Sequence, residues 1–251
     1  MILQTSRILR IAAIIVLSIL SLLLHRHPIT AASSTETVLM ETFSSIDEWE
    51  QQLFPKIKEV SSYTLEKAGS ENYLRAESRN SASGLRWKGE FDPYRYPVLR
   101  WRWKVTRIYE KGNALTKSGD DYPIRLYVMF KYDPRDPAVK KSLKYSLAKL
   151  LYRKYPPHSS LNYIWANQEY SDEFIPNAYT KKSLMIPIQM GSKDVGKWIS
   201  NEVNVIDDYR RAFGTNPPGK ASIAVMNDSD NTGEASVSYI DYIEIFRYID
   251  D

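Results

Sequence analysis

Val98–Val105 alternates strictly between apolar and basic residues. Leu99, Trp101, Trp103 and Val105 fall on one side, and Arg100, Arg102 and Lys104 on the other. Side chains along a strand point to opposite faces in turn, so the segment predicts a strand with one buried and one solvated face. Pro123–Tyr132 repeats the pattern, with Ile124, Leu126, Val128 and Phe130 inward and Arg125, Tyr127 and Lys131 outward. Gly84–Phe91 does the same with Leu85, Trp87 and Phe91 against Arg86, Lys88 and Glu90. Tyr73–Ser78, Asn162–Ala166, Leu184–Met190, Glu202–Val205, Ala221–Asn227 and Ser236–Arg247 are further strand candidates between Gly, Pro, Asn and Asp turns. About nine short strands of this kind predict an all-β chain, an antiparallel two-sheet sandwich of jelly-roll type. No linker-like stretch or repeat divides it, so residues 38–251 are expected to form one domain.

Two segments break the two-residue rhythm. Within 136–155, Val139, Leu143, Leu147, Leu150 and Leu151 share one helical arc while Lys140, Lys141, Lys144, Lys149, Arg153 and Lys154 lie mostly outside it. This predicts an inserted amphipathic helix packed on the sandwich, with a basic face capable of weak contact with an anionic membrane surface. A second, short helix is expected from Asp207, with Asp207 and Asp208 at its start and Gly214 at its end.

The first 32 residues differ from the rest. Arg7 and Arg10 precede an apolar run, Ile11–Leu24, and Thr30, Ala31 and Ala32 supply small residues after it. The run is short of the roughly 20 residues that span a bilayer, so the segment reads as a secretory signal cleaved near Ala32, with a retained N-terminal anchor as the alternative. The expected location is exported, periplasmic or extracellular. Removing Arg7, Arg10 and Arg26 from 34 basic residues leaves 31 against 30 acidic ones, a net of +1. General nucleic-acid binding needs many cationic contacts to phosphate and loses its support. Cysteine is absent, which excludes disulfides, thiolate metal sites and cysteine nucleophiles. His158 is the only histidine after the leader, so a multi-histidine metal site is excluded too.

Two strings imitate motifs. Gly191 to Lys197 has the spacing of a phosphate-binding loop, but Trp198 stands where Ser or Thr would hold magnesium, so it reads as a strand-to-strand turn. Asp228-Ser-Asp230-Asn-Thr232-Gly233 has the alternate oxygen ligands and the glycine of a calcium loop. Its twelfth position is Tyr239 rather than a bidentate Glu, and a hairpin turn explains the same string. Acid pairs occur at Asp120-Asp121, at Glu169 with Asp172 and Glu173, and at Glu202 with Asp207, and nothing in the sequence selects one for acid–base chemistry.

The outward residues of the two central strands carry the clearest signal. If those strands are neighbours, Arg100, Arg102 and Lys104 join Arg125, Tyr127 and Lys131 in one cationic, partly aromatic patch. Arginine presents a fork of donors that matches a carboxylate, and tyrosine a flat ring with a hydroxyl. The patch would suit a polysaccharide or cell-envelope glycan with acidic sugars. The rival is an enzyme, a glycoside hydrolase or a polysaccharide lyase in which Arg125 neutralises a uronate and Tyr127 acts as base. A third reading is an envelope protein-interaction module without a small ligand.

Several strings taken in order resemble a bacterial family known as domain of unknown function 3047. They are Trp101-Arg-Trp103-Lys104-Val105, Gly119-Asp120-Asp121-Tyr122, Leu161-Asn162-Tyr-Ile-Trp165-Ala166, Pro176-Asn177-Ala-Tyr179-Thr180, the stretch Trp198 to Gly214, and Asp228 to Gly233. The resemblance covers about residues 38–248 and carries no activity with it. Asp120, Asn162 and Tyr179, one from each of three strings, complete the candidate ligand-binding residues. The pattern is also similar to jelly-roll carbohydrate-binding modules. That similarity implies a structural calcium shared by an acid on the first strand and an Asp on the last, here Glu41 and Asp241.

Overall fold

The structure is a computed structural model and describes residues 34–133, 135 and 157–249. The leader and the segment expected as an amphipathic helix at 136–155 lie outside the described residues. Thr35–Tyr248 forms one compact unit. Its strands in chain order are β1 (Thr35–Glu41), β2 (Trp49–Gln52), β3 (Ser62–Ala68), β4 (Glu71–Arg79), β5 (Ala82–Trp87), β6 (Val98–Val105), β7 (Arg125–Phe130), β8 (Ser159–Ala166), β9 (Ile175–Asn177), β10 (Thr180–Met190), β11 (Ile199–Asn204), β12 (Ala221–Asp228) and β13 (Ala235–Tyr248). One helix, α1 (Val205–Phe213), lies between β11 and β12.

The strands form a two-sheet sandwich. A six-stranded sheet has the order β11-β6-β13-β4-β3, with β1 paired to β13, and a seven-stranded sheet the order β2-β5-β12-β7-β8-β10-β9. The alternation of β6 is realised as expected: Leu99, Trp101, Trp103 and Val105 are buried, and Arg100, Arg102 and Lys104 are half-buried on the outside. The inward rings meet those of the other sheet. Trp101 lies 5.3 Å from Tyr163 and Trp103 6.3 Å from Trp165, centroid to centroid. Large aromatic areas removed from water on both sides hold the sheets together.

Four expectations change. First, β6 and β7 are not neighbours; they lie in different sheets. The connection 106–124 crosses the sandwich instead of turning back, so the single patch joining Arg100, Arg102 and Lys104 to Arg125, Tyr127 and Lys131 does not form. Second, the pairing is not wholly antiparallel. β8 and β10 run parallel, because 167–179 carries the chain back along the sheet before β10 begins. Third, the string 228–233 is no hairpin, since β12 and β13 belong to opposite sheets. Fourth, α1 starts two residues before Asp207. Asn204 caps it by accepting from the amides of Ile206 and Asp207 at 3.0 and 3.2 Å, and the two acids fall in the first turn, where the helix dipole favours them. Gly214 closes the helix at φ +67°, as expected.

The seven-stranded sheet also departs from the one-apolar-face rule. Every residue of β8 and of β12 is buried. The crossing segment and β9 cover part of the outer face, where Ala114, Tyr122 and Ile175 build a second small core with Ile164, Ala166 and Met185.

Candidate functional site

Two regions on opposite sides of the sandwich carry the polar and aromatic chemistry. The first is the outer face of the six-stranded sheet. Lys104 stands opposite Tyr239 in the β6–β13 register, and Ile199 opposite Trp103 sets Trp198 beside Lys104 on the other flank. The Lys104 ammonium lies 4.8 Å from the Trp198 ring centroid and 4.6 Å from that of Tyr239. Tyr73 of β4 packs on Trp198 at 5.1 Å, and the Arg102 guanidinium reaches the same indole at 5.1 Å. These half-buried rings line a shallow groove of about 230 Å³ with Glu66, Lys67 and Lys104.

The turn before β11 delivers Trp198 to this place. Gly191 and Gly196 adopt φ +63° and +82°, which favour glycine. The Gly196 amide donates to the carbonyl of Val105 at 2.9 Å, and Lys197 pairs with Asp194 at 3.0 Å. The string that imitates a phosphate loop is thus an inter-strand turn, joining β10 of one sheet to β11 of the other, which places an indole over β6. Tyr73, Trp198 and Tyr239 were missed from sequence. Their signal was present: Tyr73 and Tyr239 are aromatic at positions whose neighbours Leu74 and Ile240 point inward, and Trp198 sits in an otherwise polar turn.

The cations of this face are mostly matched. Arg100 pairs with Glu202 at 2.8 Å and Glu244 at 3.1 Å, Arg102 with Asp241 at 3.0 Å, and Arg75 with Glu66 at 3.1 Å and Glu77 at 2.6 Å. A second shallow cavity of about 280 Å³ lies on the same face beside Arg100, Asp241 and Glu244. The expected calcium pair does not assemble. β1 does pair with β13, but Glu41 stands opposite Ile243, whose side chain is in the core. Its carboxylate turns inward, accepting from the indole of buried Trp49 at 2.8 Å. Asp241 sits at a bulge of β13 and faces outward to Arg102.

The second region surrounds Arg125 on the outer face of the seven-stranded sheet. The crossing segment covers this residue, leaving it 3% exposed instead of solvated. Its guanidinium donates from Nε to Asp228 Oδ1 at 3.1 Å and from Nη2 to Asp228 Oδ2, and lies 4.7 Å from the Tyr122 ring and 5.7 Å from that of Tyr127. Asp120 faces it, with Oδ1 3.6 Å from Nη1. Asp120 Oδ2 accepts from Asn177 at 3.0 Å, and Asn177 in turn accepts from the amide of Tyr179 at 3.0 Å. Tyr179 is exposed and its hydroxyl donates to Asn231 at 3.0 Å. Asn162 pairs with Tyr127 in the β7–β8 register and donates to Ser183 at 2.6 Å. Asp120 Oδ1 and Asn162 Oδ1 are buried without a hydrogen bond. Of the candidates Asp120, Arg125, Asn162 and Tyr179, Asp120 and Arg125 meet, Tyr179 joins them through Asn177, and Asn162 shares the face one residue pair away.

This cluster is rich in acid. Asp121, Asp228 and Asp230 each place a carboxylate oxygen within 4.8 Å of the others, a group that could hold a metal ion. Asp121 also accepts from Asn231 at 3.0 Å and from the Thr232 amide at 2.6 Å, which ties the crossing segment to the β12–β13 connection. Burial pushes the carboxyl of Asp228 well above its ordinary range, against the opposing pull of Arg125, and burial and then Asp121 raise Asp230. Burial likewise raises the Tyr127 phenol, the reverse of what a catalytic base needs, and the Arg125 fork is occupied by Asp228. The lyase roles suggested for this pair therefore have no support in the geometry. Among the described residues no helix is long and apolar enough to cross a membrane.

Structural comparison finds β-sandwich proteins at low identity. The family 11 carbohydrate-binding module of the cellulosomal cellulase Lic26A-Cel5E of Clostridium thermocellum is 11% identical, with a TM-score of 0.44 over 88% of this chain and 99% of that one. The endoglucanase 3 of Trichoderma harzianum, family GH12, is 9% identical, with a TM-score of 0.42 over 86% and 99%. The CBM22-1 xylan-binding domain of Paenibacillus barcinonensis Xyn10C is 10% identical, with a TM-score of 0.35 over 88% and 100%. No curated protein matches the sequence significantly. Residues 47–244, spanning almost all of both sheets, match the family described as "Protein of unknown function (DUF3047)", and the chain belongs to that family.

Proposed function

We propose that this chain is an exported glycan-binding protein whose oligosaccharide lies on the outer face of the six-stranded sheet. The observation that carries the reading is the groove of Tyr73, Trp198 and Tyr239. Flat aromatic rings at a water-accessible surface stack on the apolar faces of sugar rings, and neighbouring polar groups meet the hydroxyls. The site is shallow and open at one side, which suits binding of a chain rather than enclosure of a small substrate. Isothermal titration against a panel of soluble polysaccharides tests it. Trp198→Ala is expected to lower affinity at least about tenfold, a loss of about 1.4 kcal/mol. Unchanged binding in that variant, or no binding to any glycan by the parent, would remove the reading. Export is tested by sequencing the mature N-terminus, expected near Ser33.

We also propose calcium for the acidic group. Asp121, Asp228 and Asp230 place carboxylate oxygens within 4.8 Å of one another, Asp120 and Asp228 pair with Arg125, and a hard cation takes oxygen ligands from such a set. Asp120 Oδ1 is buried and accepts no hydrogen bond, with Arg125 at 3.6 Å as its ion-pair partner, which leaves it a free acceptor in this region. Calcium here would fasten the 106–124 crossing to the β12–β13 connection, a structural role separate from the groove.

A further inference from the structure

The groove holds a cation that no carboxylate among the described residues neutralises. Arg75, Arg100 and Arg102 each face at least one carboxylate on this side of the sandwich. Lys104 makes no ion pair among the described residues; its ammonium is held between the rings of Trp198 and Tyr239. Ring faces attract a cation but offer no lone-pair oxygen to its three N–H donors. The one carboxylate lining the groove, Glu66, is engaged by Arg75 at 3.1 Å. Lys67 adds a second, exposed positive charge at the rim. The groove therefore combines stacking surface and an oriented ammonium; its lining acid Glu66 is paired with Arg75, and Glu71 beside it accepts from the Tyr73 hydroxyl.

We propose that the groove selects glycans bearing a carboxylate, and that Lys104 reads that charge. This rests on the glycan-binding reading above and names its ligand class. A uronate ring resting on Trp198 would bring its carboxylate beside the ammonium. The resulting bond is charge-assisted, stronger than any a neutral hydroxyl makes to the same lysine. The rings hold Lys104 in place beforehand, so little side-chain freedom is lost when the ligand arrives. Arg100 and Arg102 contribute less, because their forks already serve Glu202, Glu244 and Asp241. Selectivity is thus assigned to one lysine rather than to a general positive field, in keeping with a chain of nearly balanced charge.

The probes are polygalacturonate and its methyl-esterified form, which share a backbone and differ in charge. The full chain should bind the acid at least about tenfold more tightly than the ester, the fold-change of one charge-assisted hydrogen bond. Raising ionic strength from about 0.02 to 0.2 M should weaken the acid complex and leave the ester complex unchanged. Lys104→Met keeps the apolar stem on the rings and removes the charge. It should bring acid affinity down to the ester level, and Lys104→Arg should keep the preference. Equal thermal melting of Lys104→Met and parent separates this from a folding defect; if Lys104→Met melts lower, the Lys104→Arg comparison decides. Equal affinity for acid and ester in the parent, or Lys104 variants that keep the full preference without a cation, would overturn the inference while the glycan reading stands. Binding to neither polymer nor any other glycan would overturn both.

Discussion

Removing the Arg125 side-chain charge should cost more than removing the charge of its partner Asp228, and the surroundings give the reason. Among the described residues Arg125 is the only cation in contact with Asp120 and Asp228, and both acids are buried. Arg125→Met leaves those carboxylates, with Asp121 and Asp230 close by, without an ion-pair partner. Breaking a buried pair by removing one partner costs about 3–5 kcal/mol, because the other charge stays behind. Asp228→Asn leaves Arg125 with Asp120 at 3.6 Å and with two aromatic faces, so its cost belongs nearer the roughly 1–3 kcal/mol of a lost hydrogen bond to a charged group. For a chain of this size about 4 kcal/mol lowers Tm by roughly 8–16 °C. It lowers a urea midpoint by about 2 M if the slope is near 2 kcal/mol/M. Asp228 and Asp230, raised by burial, hold their protons more tightly folded than unfolded, so Arg125→Met should recover stability as pH falls from 7 toward 4. The double variant Arg125→Met/Asp228→Asn should lie above Arg125→Met alone. Urea unfolding of the four proteins at pH 7 and pH 5 decides it. A cost of about 1 kcal/mol or less for Arg125→Met, a larger cost for Asp228→Asn, or no recovery in the double variant would refute the reasoning.

Further outcomes follow from other places in the fold. Calcium at a hundredfold excess over Kd should stabilise the chain by about 2.7 kcal/mol, read as a rise in Tm that chelator reverses and Asp121→Asn abolishes; identical melting with calcium and chelator would remove the site. Glu36 on β1 accepts from Tyr96 and Arg95, both at 2.7 Å, and from Arg247, which hold its carboxyl down at about 2. Since the folded-state value is depressed, its contribution is present above the ordinary 4.5 and lost as pH falls toward 2. Glu36→Gln should therefore melt below the parent at pH 6 and together with it near pH 2. Asn204→Ala should cost about 1 kcal/mol through the two amides it leaves uncapped, with Asn204→Asp restoring most of it; equal stability of the alanine variant would show α1 held by packing alone.

The strands were legible because a buried Trp or Leu at every second position has one physical explanation in a two-sheet sandwich. β6, whose bounds match the alternation residue for residue, is the clearest case. What alternation cannot say is which sheet a strand joins. Leu126 and Val128 of β7 bury their side chains equally well against either layer, and only the path of 106–124 decides between them. That path also decided the fate of Arg125. In the strand pattern it stands as an outward base like Arg102, but Asp120, Asp121 and Tyr122 of the crossing segment fold over it. The strings Gly119–Tyr122 and Asp228–Gly233 are distant in sequence, and neither indicates alone that Asp121 will accept from Thr232 across the gap.

The opposite error hid the groove. Reading outward residues for charge favoured Arg100, Arg102 and Lys104 as equals, yet two of the three are spent on acids from β11 and β13 that the alternation placed on the same face without registering them. Register is what distinguishes them. Glu202 and Glu244 both stand opposite Arg100, whereas Lys104 is flanked by Tyr239 and Trp198. A cross-strand neighbour lies about 5 Å away, close enough to neutralise a charge or to cradle it. The same outward lysine is thus an ordinary solvated residue next to a glutamate and a poised binding group between two rings. For this chain the difference is set by Gly196 at φ +82°, the residue that lets the turn carry Trp198 to β6.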